Sequence, residues 1–302
     1  MVLADRQPPE DAGFRWLHLD LWDQRTARWI ADKSGLPADL QDLFLSTDEQ
    51  PRILGQKEVL ALVLPDFQRE FDRDETERIG ALHVALAPGL MLTGRHHPLH
   101  TPDIFRHRAA QAEQLDPGRA LELVLNSLID TLATRTTGIL SEMLALEDQI
   151  LADEGTPDTR ALVAMRRLTA RLHRMANGIR FVLSRGTEDR LIAAIHGDLL
   201  TRATRRLLPI ERDVAAAQQQ LRLLREELDL QAGQQTSENV YLLSVITALI
   251  MPATLVTGFF GMNTGGMPFE KGAGGTLMAT LLAIGCSIAT WLLLRTMGLI
   301  RR

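Results

Sequence analysis

The N-terminal third of the chain alternates short apolar runs with breakers. Runs over 16–21, 59–64, 81–87 and 90–92 have strand length, and Pro65, Pro88, Gly89 and Gly94 punctuate them. Residues 26–31 and 38–45 between those runs carry helical spacing, so 1–115 reads as an α/β domain whose strand order the pattern leaves open. From Pro117 the period changes. Leu121, Leu125, Leu128, Leu132, Ile139, Met143, Leu146 and Ile150 recur at helical steps and predict one long amphipathic helix. Thr156, Pro157 and Asp158 supply helix-start chemistry, after which Leu162, Met165, Leu172, Met175, Ile179 and Val182 repeat the seam on a second helix. Residues 116–208 therefore predict a helical hairpin.

Pro209, with its fixed φ and missing N–H, suits the first turn of a third helix. Its seam of Ile210, Val214, Ala217, Leu221, Leu224 and Leu228 alternates steps of four and three, as in a coiled coil. Residues 209–239 are the expected stalk. The next stretch, 240–260, holds no charged residue, and 21 helical residues span about 30 Å, the thickness of bilayer hydrocarbon. A second uncharged run covers 276–294. Two such runs joined by a glycine-rich loop predict transmembrane helices 1 and 2.

Composition agrees with a water-exposed region followed by a small membrane unit: mean hydropathy is near zero and charged residues make up 24% of the 302. The start of the chain lacks a basic segment followed by an apolar run, so no secretory signal is expected and the N-terminus is assigned to the cytosol. Arg295, Arg301 and Arg302 follow the second span, whereas the 261–275 loop carries Lys271 beside Glu270. This bias also places the 295–302 tail in the cytoplasm and the loop in the periplasm of a bacterial inner membrane. The net charge of -5 and the lack of a basic, aromatic-interleaved block leave no nucleic-acid signal. The single cysteine, Cys286, lies in the second apolar run and reads as packing.

The loop begins Gly261-Met262-Asn263 and continues Thr264-Gly265-Gly266-Met267-Pro268. This tripeptide directly after an uncharged helix, with Met251-Pro252 upstream, Met267-Pro268 downstream and a heptad helix before it, resembles the CorA family of divalent metal cation transporters. The resemblance covers essentially the whole chain. It implies an α+β membrane protein: a cytosolic α/β domain, a coiled-coil stalk and two C-terminal spans, assembled as a funnel-shaped homopentamer. It also implies that Gly261, Met262 and Asn263 form the selectivity filter, with Asn263 meeting a hydrated ion at the outer mouth. The magnesium-transporting members carry an aromatic residue after Gly-Met-Asn and an acidic one after Met-Pro, where this chain has Thr264-Gly265-Gly266 and Phe269. The Gly-Gly pair is similar to the ZntB branch, so zinc is the leading cargo and magnesium or cobalt the alternative. No resident cofactor is expected.

Independently of the resemblance, two spans per subunit cannot enclose a hydrophilic path, so transport requires several copies. Ser244, Thr247, Met251, Thr254 and Gly258 share one helix face, which is assigned to the pore; close helix packing is the competing reading of such residues. By resemblance Met251 lies near the family's gate. Pro252 deprives the Ala248 carbonyl of its donor, which either turns that oxygen to the pore or kinks the helix. Glu270 can collect cations at the mouth. His96, His97 and His100 form a candidate metal cluster without the spacing of a closed zinc motif, and His83, His173 and His196 read as isolated. The sequence lacks a phosphate-binding loop, a nucleophile elbow and a zinc-hydrolase helix motif, so an enzyme is not expected. A membrane-anchored coiled-coil scaffold is the alternative of a different class.

Overall fold

The computed structural model describes residues 2–6, 13–69, 78–112, 114–151, 159–262 and 275–297. They divide into two compact units, Met1–Leu224 and Arg225–Arg302.

In the first unit six strands form one sheet in the order β1-β2-β6-β5-β4-β3. These are β1 (Val2–Arg6), β2 (Arg15–Asp20), β3 (Arg52–Gln56), β4 (Val59–Phe67), β5 (Ile79–Ala87) and β6 (Leu90–Arg95). β2 and β6 pair in parallel and the other neighbours are antiparallel. β4 and β5 are buried almost throughout, because helices cover both faces of the sheet. On one face Leu17, Ala61, Ala85 and Leu92 meet Ile30, Leu40 and Phe44 of α1 (Gln24–Lys33) and α2 (Ala38–Leu45). On the other, Trp16 meets Phe105 of α3 (Thr101–Gln111) edge to face at 4.7 Å. The β5–β6 turn uses Gly89 at φ +72°, a conformation natural to glycine.

Pro65 lies within β4 instead of ending it. It pairs with Ala81 of β5, but β3 reaches only to Val63, so the position without an N–H falls where no third strand needs a donor.

α4 (Pro117–Leu151) and α5 (Thr159–Glu188) pack on the sheet and on each other. The α4 seam from Leu121 to Leu146 is buried; the Ile150 side chain and the 156–158 helix start lie outside the described residues. α6 (Arg190–Gly261) is a 72-residue helix that starts well before Pro209. The expected start at Pro209 is therefore corrected. Pro209 is exposed, and burial of Leu207, Ile210 and Val214 carries the helix through the missing bond to the Arg205 carbonyl. Contacts of Arg202 with Glu122, Arg206 with Asp130 and Gln220 with Glu147 set α6 parallel to α4. Arg180 pairs with Glu211 at 2.9 Å, and Leu200 lies so close to Gly186 that an added Cβ would stand 2.6 Å from it; together these set α6 antiparallel to α5.

Three buried titratable groups link this unit to pH. Burial, helped by Arg95, holds His18 down to about 3, and burial beside His96 holds His83 down to about 4. Burial pushes Asp66 up to about 7, against the Thr101 and Phe67 N–H groups that donate to it. Between pH 6.5 and about 4 the unfolded chain binds two histidine protons that the folded chain excludes, while folded Asp66 holds one that the unfolded chain lacks. These three groups leave one proton in favour of unfolding, and His96, His100 and His196, also held down by burial, act in the same direction, so acidification should destabilise this unit by at least about 1.4 kcal/mol per pH unit in that window. Urea midpoints at about pH 7 and about pH 5 test this. An unchanged midpoint contradicts the burial of two neutral histidines, and Asp66→Asn should steepen the loss.

Candidate functional site: the two apolar helices

The second unit contains the last part of α6 and α7 (Gly275–Thr296). Each carries a stretch long and apolar enough to cross a membrane, and very little of either stretch is buried.

The two helices meet along one side of α6. Ala248, Leu249, Pro252, Ala253 and Val256 are half-buried there, and a cleft of about 380 Å³ is lined by Leu249, Ala253, Ala283, Ser287 and Trp291. The Ser287 hydroxyl donates to the Leu249 carbonyl at 3.1 Å and ties the two helices together. At the end of α7 the Arg295 guanidinium stands 5.3 Å over the Trp291 ring, a pairing suited to a membrane–water boundary.

Ser244, Thr247, Met251, Thr254 and Gly258 are all exposed. At 3.6 residues per turn they lie roughly opposite the side that meets α7. The Ser244, Thr247 and Thr254 hydroxyls donate to the carbonyls of Val240, Leu243 and Ile250 at 2.8, 2.7 and 3.1 Å. Their protons are thus used within the helix, and their oxygens remain as outward-facing acceptors. Met251 is 65% exposed among them. The close-packing reading of this face does not apply to α7, which takes the opposite side. Ala248 and Pro252 are half-buried on the α7 side.

Gly261 is the last residue of α6 and Met262 follows in a turn, with its N–H 3.5 Å from the Phe259 carbonyl. Asn263, Thr264, Gly265, Gly266, Met267, Pro268 and Glu270 lie outside the described residues.

The structure does not gather His96, His97 and His100 into a metal centre. His100 precedes α3, His97 faces Trp22 at 6.4 Å, and among the described residues no group of three or more His, Cys, Asp or Glu side chains can hold an ion. His96 instead meets His83, one strand over, at a centroid distance of 5.4 Å. Sequence spacing could not reveal that pair, because 13 positions and a hairpin separate its members.

The sequence matches the family described as CorA-like Mg2+ transporter protein over residues 11–296. The chain belongs to this family. It is 26% identical over 303 residues to the divalent cation transporter CmaX of Pseudomonas aeruginosa, covering 98% of this chain and 89% of that protein. It is 22% identical over 284 residues to the zinc transport protein ZntB of Yersinia enterocolitica, covering 92% and 86%. The CorA magnesium transporter of Methanocaldococcus jannaschii superposes with a TM-score of 0.80 at 16% identity, over 98% of this chain and 95% of that one. The chain therefore has the CorA fold: an N-terminal α/β domain, a long helix and two candidate C-terminal spans.

Proposed function

We propose that this CorA-family chain is a subunit of a divalent cation transporter of a bacterial inner membrane, with zinc as its cargo. The observation that carries the reading is the exposed row Ser244, Thr247, Met251, Thr254 and Gly258, on the side of α6 that α7 leaves open. A bare anchor gains nothing from such a row, whereas copies arranged about an axis would turn it into a conduit lined by hydroxyl oxygens and narrowed by thioethers. A homopentamer is the assembly proposed here, on the resemblance to CorA. The Gly261–Gly275 loop then faces the periplasm, both termini face the cytoplasm, and Asn263 rings the outer mouth with Glu270 beside it. Zinc is favoured over magnesium or cobalt by the Thr264-Gly265-Gly266 sequence and the ZntB relative.

Uptake of zinc, magnesium and cobalt into proteoliposomes, with and without a pH gradient, tests the reading. Zinc uptake is the expected result, and a rate that follows the gradient assigns proton coupling. Magnesium uptake without zinc reassigns the cargo. No uptake of any of the three favours the anchored scaffold. If Met251 is the apolar constriction, Met251→Ala should raise the initial rate severalfold in the same assay, and an unchanged rate would remove it from the path.

A further inference from the structure

His83 is a fully buried imidazole whose hydrogen bonding the fold leaves incomplete. In β5 the Leu43 and Phe44 carbonyls stand close enough to favour one ring N–H, but neither nitrogen makes a close, aligned hydrogen bond and no donor among the described residues reaches the other one. A buried nitrogen left without a partner is costly, and a bound ion is one of the recognised reasons that a native structure keeps one. In the sheet His83 stands between Val63 of β4 and Gly94 of β6, and Gly94 brings no side chain against it. The half-buried His96 ring lies 5.4 Å away at an interplanar angle of 78°. Beyond His96 comes Trp22, 64% exposed, at 5.3 Å, so the pair sits one side chain below solvent.

We propose that His83 and His96 bind one borderline divalent transition-metal ion, of the zinc, nickel or copper class, in the α/β domain. The separation fits two imidazoles on one ion. With metal–nitrogen bonds of about 2.0–2.1 Å each ring centroid stands about 3.2 Å from the metal, and two rings at a tetrahedral angle stand about 5.2 Å apart. The surroundings fit as well. The Leu43 and Phe44 carbonyls, in the last turn of α2, lie beside His83 and favour its N–H, and a carbonyl in that position orients one imidazole nitrogen while the other turns to a metal. Burial keeps His83 neutral at physiological pH, with a lone pair to give. Imidazole donors select zinc, nickel and copper over magnesium and calcium, which take oxygen ligands. Since the described residues hold no third ligand, water completes the coordination and exchange is fast. This site rests on the first unit alone and is independent of which ion crosses the membrane.

Copper(II), added at equimolar amount to the purified full-length protein, provides the test by electron paramagnetic resonance. The expected spectrum shows superhyperfine splitting from two imidazole nitrogens, reduced to one or lost in His96→Gln and unchanged in His97→Gln. His83→Gln, used if its circular dichroism matches wild type, should lose the signal too, and excess zinc should displace the copper where excess magnesium does not. A two-nitrogen signal that survives His96→Gln overturns the site. Loss in His97→Gln with retention in His96→Gln also overturns it, by assigning the copper to the exposed histidine. The readout does not depend on flux, so a protein that transports nothing but shows the signal separates failure of the transport reading from failure of this one.

Discussion

Asn263→Ala is expected to lower zinc uptake into proteoliposomes roughly tenfold or more, a change worth at least about 1.4 kcal/mol in barrier height, with oligomer size and circular dichroism unchanged. A divalent ion enters an apolar conduit only if something replaces the water it gives up or orients the water it keeps. Along α6 the available groups are weak: the Ser244, Thr247 and Thr254 hydroxyls have committed their protons to their own helix, and Met251 is apolar. Gly261 offers only backbone, and Met262 carries a thioether. Asn263 is the first residue beyond α6 with a strong neutral dipole, and several copies would present several carboxamide oxygens to one ion. Alanine removes all of them at once. Asn263→Asp makes the complementary case: a ring of carboxylates should bind the ion more tightly and release it more slowly, giving saturation at lower concentration with a lower maximal rate. Wild-type uptake by the alanine variant would remove Asn263 from the filter and leave the hydroxyl face to carry selectivity.

How much of this was legible in the sequence depends on whether the responsible interaction is local. The apolar faces of α4, α5 and α6 were readable because burial follows helical period: Leu121, Leu172 and Val214 are all buried where the seam places them. The two apolar stretches were readable from another local signal, the absence of charge over 240–260 and 276–294, and the hydroxyl-bearing face of α6 from its helical spacing. β3 escaped notice because it is a partly exposed edge strand, Arg52–Gln56, with a weak apolar pattern. α3 escaped notice because its start is supported from afar: the Asp66 carboxylate accepts the Thr101 N–H across 35 positions. Pro65 and Pro209 were misread as boundaries, since a proline's effect depends on whether its missing N–H had a partner to lose, and the sheet edge and the exposed helix face decide that. Adjacency in the sequence grouped His96 with His97 and His100, but pairing across β5 and β6 determined the actual neighbour, His83. The Asn263 loop is the opposite case, conspicuous as a motif but outside the described residues.

Phe105→Ala should be the most damaging single change in the α/β domain, destabilising it by about 3–5 kcal/mol. Phe105 is 1% exposed and is among the largest fully buried side chains. It packs edge to face on Trp16 at 4.7 Å, and the Trp16 indole in turn donates to the Thr93 hydroxyl at 2.8 Å. That hydroxyl also bonds the His18 ring at 2.9 Å, so one aromatic contact holds a polar network buried inside the sheet. Removing the ring leaves a cavity against β2 and deprives α3 of a main anchor, while the buried indole and imidazole lose the wall that excludes water. Volume cannot be recovered by collapse, because Trp16 and Thr93 are fixed on neighbouring strands in register with Met91 and His18. Phe105→Leu keeps most of the volume and should cost less than half as much, which distinguishes packing from a requirement for aromaticity. Urea unfolding followed by tryptophan fluorescence gives the magnitude, and near-ultraviolet circular dichroism reports the Trp16 environment before unfolding begins. A loss below about 1 kcal/mol for the alanine variant would mean that α3 is held chiefly by its Asp66 contact and by α4, not by the aromatic pair.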